Sequence, residues 1–449
     1  MRNTRNALIR LVFTIFLTIG VAGVPSHVHA RTADDVVTYR MEAGDTLNAI
    51  NSRYLASTNA VADVARLNRI SNPRRIPVGT VLRLPRRLLA WRSADLVVRS
   101  FSGPVNIDGS VPQIGAPLAE GAIIQTGRNG FIAFQSADGA TVALPSNSHA
   151  RLERARIYRL RDLRDVEFRI LGGRGTINAP VLRDEERFRT STPVAVTAVR
   201  GTQYRVGFDA NTSMGVTEVI EGTVSVGGST ADEGAEGVES EGQLTEAGFG
   251  VAASAAGVTA PEALLPPAEI ESPGAIQTGE VVSFAVTLPA GALATRTQIA
   301  RDAGFLEVIA EQIGSAQATD FEGIEDGRYF VRSRGISNSG IEGLSETFSF
   351  RRKRLGAEAV VEPSPLADGF RFAWLPQGEG ITHFAFQLWR EGEADRPLYD
   401  EIALPGSATV ITGLEPGSYL WRVAAIQSDA EEGLLQVWGP EQSLTVSPE

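Results

Sequence analysis

The chain has no cysteine. That excludes disulfides, thiolate metal sites, a cysteine nucleophile and a lipidated cysteine, so every core must hold by packing alone. Lysine is nearly absent. Lys353 is the only one, which leaves Ser–Lys catalysis little support. Histidine is scarce as well: beyond the first thirty residues only His149 and His383 remain. Zinc amidases and endopeptidases need clustered histidines, and two lone ones far apart in sequence do not supply them. A carboxylate-only hydrolase escapes this count, but no helical lysozyme-like segment is left over below. After Val24 no apolar run approaches a membrane span.

What is present points to several β-rich units. At 449 residues the chain exceeds one domain, and its 46 glycines and 23 prolines suit turns and short strands. Residues 1–30 read as a signal peptide. Arg2, Arg5 and Arg10 precede the uncharged run Leu11–Val24, and Val28 and Ala30 occupy the small-residue positions before a cleavage site. The run is shorter than the ~20 residues of a spanning helix. The expectation is an exported protein, periplasmic or envelope-associated, with no transmembrane span after cleavage. Residues 31–92 carry net +6 and residues 231–449 net −21, within a total of −11. A basic N-terminal module ahead of an acidic half argues against a nucleic-acid partner.

The stretch "VVTYRMEAGDTLNAINSRY" begins with alternation through Val37, Tyr39 and Met41. It then turns at Gly44-Asp45-Thr46. Asp45 or Thr46 can cap a helix in which Leu47, Ile50 and Tyr54 share a face. A second helix fits "NAVADVARLNRI", and "IPVGTVLRLP" closes with a strand that places Leu82 and Leu84 on one side. This strand–helix–helix–strand unit, residues 36–86, resembles a LysM domain. The landmarks are Tyr39, Gly44-Asp45-Thr46-Leu47, Asn68, Ile76-Pro77, Gly79, Leu82 and Pro85. The resemblance implies binding of peptidoglycan or a related N-acetylglucosamine polymer. The implied groove lies between Gly44, Asp45, Thr46 and Leu47 on one side and Ile70, Ser71, Asn72 and Pro73 on the other. Main-chain groups there can hold an acetamido group and apolar walls its methyl.

From Ser93 the pattern becomes short alternating runs parted by Gly-Pro, Asp-Gly and Asn-Gly turns, an all-β texture. The segments "EGAIIQTGRNGFIAFQSADGATVALPSNS", "TSTPVAVTAVRGTQYRV" and "TEVIEGTVSV" resemble a FecR-type domain, spanning 94–265. In "VRGT" a strand follows the Arg200-Gly201-Thr202 corner, so no helix N-terminus faces a phosphate there. Arg200 is expected to lock neighbouring turns and Gly201 to supply backbone freedom. The arginines from Arg151 to Arg169, interleaved with acids, are expected to form a solvated face of cross-strand ion pairs. Residues 227–242, rich in Gly, Ser and Glu, read as a loop.

Beyond the loop a repeat appears. Gly323/Gly413, Gly327/Gly417, Tyr329/Tyr419, Arg332/Arg422 and Gly343/Gly433 are each 90 residues apart. Two β-sandwich units are expected, 266–355 and 356–449. They resemble fibronectin type III-like domains and suggest a spacer or stalk, with Trp374, Trp389 and Trp421 in packing roles.

The reading is therefore a mainly β multidomain protein: a small βααβ LysM module, an all-β FecR-type domain and two β-sandwich repeats. Its expected function is non-enzymatic: docking on peptidoglycan and presenting the β modules to an unidentified envelope protein. No cofactor, metal or catalytic residue is expected. The alternative is a FecR-like signal-transducing regulator held by an uncleaved N-terminal segment.

Overall fold

The computed structural model describes residues 35–199, 201–229, 242–315, 317–429 and 433–447. The expected signal segment, Arg200 and most of the acidic loop lie outside the described residues.

The N-terminal unit is β1 (Val36–Arg40), α1 (Leu47–Tyr54), α2 (Ala60–Leu67) and β2 (Val81–Pro85), with β1 and β2 antiparallel. Alternation puts Val37, Leu82 and Leu84 on the helix side, where Leu47, Ile50 and Val64 close the core. This core does not end with the unit. Tyr158, Leu160 and Leu163, from the next domain, belong to the same buried cluster. They sit at the tip of a hairpin whose turn places Arg161 and Asp162 at positive φ. A strand at Trp91–Ser93 pairs with Arg156–Tyr158 and completes the join.

The second domain is built around one long strand, Leu163–Asn178. Its first half pairs with His149–Tyr158 and, in parallel, with Arg187–Ser191. Its second half pairs with Thr141–Leu144 and Gln203–Asp209. Two sheets therefore share this strand, and the strand path closes on itself. Their inner faces enclose a core that includes Phe134, Leu152, Phe168, Ile177, Tyr204 and Val219. Between Ala195–Val199 and Gln203–Asp209, Gly201 takes φ +70°, and a Cβ there would lie 3.0 Å from the Val181 side chain. That accounts for glycine at this corner by conformation and by space.

The arginine row is not simply solvated. Arg154 reaches across strands to Asp165 at 3.8 Å and to Glu167, but Asp165 is itself buried. Arg156 is held by Glu120, with its Nε 2.9 Å from Oε2, and lies over the Trp91 ring at 4.6 Å. Arg161 leaves the domain and donates to Thr38 O of β1 at 3.1 Å. A row that alternates on a strand reads as surface until a neighbouring unit packs over its end.

Each C-terminal repeat is a three-stranded sheet facing a larger one. The first pairs Glu269–Ile270, Val282–Thr287 and Ala318–Phe321 against a four-stranded sheet ordered Val308–Gly314, Ala292–Ala300, Gly327–Ser337, Thr347–Arg352. The second repeats the order with Gly356–Pro363, Gly369–Gln377 and Ala408–Thr412 against the sheet built on His383–Arg390 and Gly417–Asp429. The 90-residue correspondence extends to bonding. The Tyr329 hydroxyl donates to Glu325 O at 3.1 Å, and the Tyr419 hydroxyl to Glu415 O at 2.7 Å. Each clamps its strand to the preceding turn, as a tyrosine corner does. Trp374 and Trp421 pack in the second core with Phe372 and Phe386. Trp389 is also buried, on the opposite face of its strand, with the Arg422 guanidinium 5.5 Å from its ring.

The first repeat is not a free stalk element. A buried polar seam fixes it to the FecR-type unit. Glu342 sits at the centre and accepts from Arg296 Nε at 2.7 Å, with Arg174 Nε at 2.9 Å and Arg334 Nη1 at 3.3 Å. Arg205 donates to the main-chain oxygens of Glu342 and Gly343 at 2.7 and 2.8 Å.

Candidate functional site

The candidate site is the pair of loops beside α1 and after α2. Gly44, at φ +87°, makes the turn out of β1 that no L side chain adopts easily. Thr46 is the N-cap of α1: its backbone is extended and its Oγ1 accepts from Ala49 N at 3.1 Å. The sequence left the cap open between Asp45 and Thr46, and the structure gives it to Thr46.

Asp45 has a different task. Its Oδ2 accepts from the Tyr39 hydroxyl at 2.7 Å and from Glu42 N at 3.0 Å, and its Oδ1 from Arg53 Nη2 at 2.8 Å. Three donors on one carboxylate tie strand, turn and helix together. The Tyr39 hydrogen bond, then that from Glu42 N, holds the Asp45 carboxyl below its ordinary value. Burial, with Asp45 beside it, pushes the Tyr39 hydroxyl up to about 12. Sequence reasoning did not foresee this clasp. The signal was a Tyr six residues before the Asp, with an Arg eight after it.

On the other side, α2 ends at Asn68. Its Nδ2 donates to Val64 O and to Arg83 O, both at 2.8 Å, and its Oδ1 accepts from Arg83 N at 2.7 Å. This side chain pins the helix end to β2. The loop then runs through Arg69 at positive φ and Ile70, whose side chain packs against the shared core. Ser71 and Asn72 are exposed and Pro73 half-buried. The Asn72 side chain accepts from Arg74 N at 3.1 Å, so the loop stiffens itself.

Of the eight residues singled out from sequence, Gly44 to Leu47 form one turn and Ile70 to Pro73 one loop, and Leu47 and Ile70 belong to one hydrophobic cluster. Leu47 is fully buried, so it has only main chain to offer. Asp45 and Thr46 have their oxygens engaged. The freely exposed side chains of the set are Ser71 and Asn72.

The site is held from behind. Thr38 donates from N and Oγ1 to Glu185 Oε1 at 2.8 and 2.7 Å, and Arg161 pairs with the same carboxylate. Buried Arg86 donates to Glu185 O and lies 5.7 Å from the Tyr158 ring. These bonds tie β1 and the segment after β2 to the β domain.

Comparison with known proteins agrees with the architecture. The LysM domain model matches residues 39–85 and the FecR protein model residues 122–225. The chain thus carries a LysM domain and a FecR domain, with fibronectin type III-like sandwiches after them. Both domain types are typical of envelope or periplasmic proteins. The FecR match is shorter than the folded unit. Leu96–Ser102 and Phe249–Ser254, outside it, pair with Phe131–Ser136 and Met214–Glu221 inside it.

Among solved structures the chain is similar to a candidate anti-sigma factor from Parabacteroides distasonis ATCC 8503, at 15% identity and TM-score 0.24. That alignment covers 31% of this chain and 59% of that one, so the chain spans little more than half of that structure's length. It is also similar to a two-domain fibronectin type-III segment of chicken tenascin, at 11% identity and TM-score 0.20, covering 41% and 99%. At such scores the sheet orders above carry the fold argument. No curated protein sequence matches the chain. Among the described residues, no helix is long and apolar enough to cross a membrane.

Proposed function

We infer that this is a non-enzymatic, exported envelope protein. It binds peptidoglycan, or a related N-acetylglucosamine polymer, between Gly44–Leu47 and Ile70–Pro73, and offers its FecR domain and second sandwich to a protein partner. The observation that carries the reading is the LysM match at 39–85, set on a turn whose polar side chains are already engaged. With Asp45 and Thr46 consumed by the fold, recognition falls to main-chain groups and loop walls. That suits an uncharged acetamido sugar. One shallow groove binds weakly, and retention on a polymer comes from repeated sites along it.

The test uses the full chain, because the LysM core includes residues of the FecR domain. Ser71→Trp places a bulky ring in the exposed loop without touching cap, clasp or core. Retention on purified sacculi is expected to fall about tenfold or more while the melting temperature stays unchanged. Equal retention of Ser71→Trp and wild type would remove the groove from consideration. Absence of turnover of the same sacculi checks the non-enzymatic half. The FecR match supports a second reading, a regulator that passes a signal across the membrane. It requires the N-terminal segment to be kept, so a mature N-terminus at Arg31 in the soluble periplasmic fraction excludes it.

A further inference from the structure

The seam between the FecR domain and the first sandwich carries more positive than negative charge. Five arginines meet there: Arg174, Arg205, Arg296, Arg332 and Arg334. Three carboxylates face them: Glu218, Glu311 and Glu342. All three acids are buried, and so are Arg205, Arg296 and Arg334. Arginine does not lose its proton in proteins. Five guanidinium groups against three carboxylates leave the cluster two positive charges in excess, in a place where charges are ordinarily paired.

The shortfall is localised. Glu342 and Glu218 serve Arg174 and Arg205, and Glu342 and Glu311 serve Arg296. Arg332 has only a neutral partner: its Nε and Nη2 donate to Gln298 Oε1 at 3.0 and 2.8 Å. Arg334 Nη2 donates to that same oxygen at 2.7 Å, its Nη1 lies 3.3 Å from Glu342 Oε2, and its Nε is buried without a partner. Gln298 cannot add charge, and its amide nitrogen is committed to Glu311 at 2.7 Å. One face of the Arg332 guanidinium lies on the Phe305 ring, 3.8 Å from its centroid. Burial, then the neighbouring guanidinium of Arg334, pushes Arg332 well below the ordinary arginine range.

The second sandwich supplies the control. Arg422 stands 90 residues on and makes the same bonds, Nε and Nη2 to Gln387 Oε1 at 3.0 and 2.9 Å. There a carboxylate is present, Glu441 at 3.7 Å. In the first sandwich the residue that pairs in register with Arg332 is Thr347. The first sandwich thus has a threonine where the second has the acid.

Next to Arg332 the seam leaves a cavity of about 20 Å³, lined by Phe131, Leu144 and Thr176 from the FecR domain and by Gln298, Phe305 and Arg332 from the sandwich. That volume admits one particle of about the size of a water molecule. It is too small for a phosphate, a sulfate or a sugar carboxylate. We propose that this cavity binds one monatomic anion of the chloride class, held by the Arg332 guanidinium against the apolar wall of the seam. Because both domains line the cavity, the complete site exists only when they are docked. The anion therefore stabilises docking by mass action.

The direct test is diffraction from crystals of the full chain grown in bromide. An anomalous peak beside the Arg332 guanidinium is expected. Density there without anomalous signal, which is a water, overturns the proposal. In solution, the melting temperature is compared in chloride and in gluconate at equal ionic strength, since gluconate cannot enter. Wild type is expected to melt higher in chloride and to rise further with its concentration, and Arg422→Met to behave as wild type does. Arg332→Met is expected to lose the difference. Equal melting of wild type in the two salts also overturns it. If Arg332→Met does not fold, the bromide experiment on the unaltered protein decides alone.

Discussion

The FecR domain meets its two neighbours in opposite ways. Towards the LysM unit it extends an apolar hairpin tip, Tyr158, Leu160 and Leu163, into a core that lacks that wall by itself. Charge enters there through the Glu185 clasp and an Asp35–Arg187 pair at 3.9 Å. Towards the first sandwich it presents Arg174, Arg205 and Glu218, and the seam is built on buried ion pairs with Glu342 at the centre. The first seam gains from removing apolar area from water and tolerates imperfect geometry. The second must satisfy every charge, since a buried ion left alone costs more than the pair contributes. The proposed glycan site sits on the unit held by the apolar seam.

The largest effect is expected at the charged seam. Glu342→Gln strands several arginines and should destabilise the full chain by about 3–5 kcal/mol. Glu441→Gln, which removes the exposed counterpart in the second sandwich, should cost less than about 1 kcal/mol. Denaturant unfolding of the two variants measures both, and equal losses would erase the distinction between covered and open faces.

Leu163→Ala tests the apolar seam. A cavity in the shared core should cost about 2–5 kcal/mol. Amide exchange should rise in α1 and β2 of the LysM unit as well as in the hairpin. Faster exchange confined to the hairpin would mean that the two cores are independent.

Acid should separate the seams. Burial raises the Glu185 carboxyl, but hydrogen bonds from Thr38 N, Thr38 Oγ1 and Arg161 outweigh it and hold its pKa below the ordinary value. Its contribution is present above the unfolded glutamate pKa of about 4.3 and is lost as pH falls through the lowered folded value. Glu342 is held well below the ordinary range, with Arg174, Arg296 and Arg334 outweighing burial, so its contribution persists further into acid. Amide exchange followed from pH 6 downward should show the LysM seam loosening first. Simultaneous loss at both seams would contradict this order.

The smallest effect serves as calibration. Tyr329→Phe and Tyr419→Phe each remove one corner hydrogen bond and should each cost about 1 kcal/mol, in the covered and the open sandwich alike. A much larger loss at Tyr329 would show that docking transmits strain to the corner.

Much of the architecture was legible because it rests on local periodicity. The helix start at Gly44–Leu47, the alternation of Leu82 and Leu84, and the 90-residue spacing of Tyr329 and Tyr419 are all written within a few residues of where they act. At the candidate site the sequence located both loops but not the division of labour. Asp45 and Thr46 are equally good caps on paper, and only the approach of Tyr39 and Arg53 makes Asp45 a clasp. The exposed loop residues Ser71 and Asn72 carried no signal beyond their place after the second helix.

The sequence by itself determined which residues form strands, helices and turns, and that the last two units are copies of one pattern, because hydrophobic alternation and turn chemistry act over short distances along the chain. Tertiary structure alone decided which faces are covered. Arg296 and Arg334 alternate outward from their strands like any solvated arginines, and Leu160 and Leu163 look like hairpin-tip residues of their own domain. Their burial comes from units distant in sequence, and burial turns an ordinary surface charge into one that needs a partner.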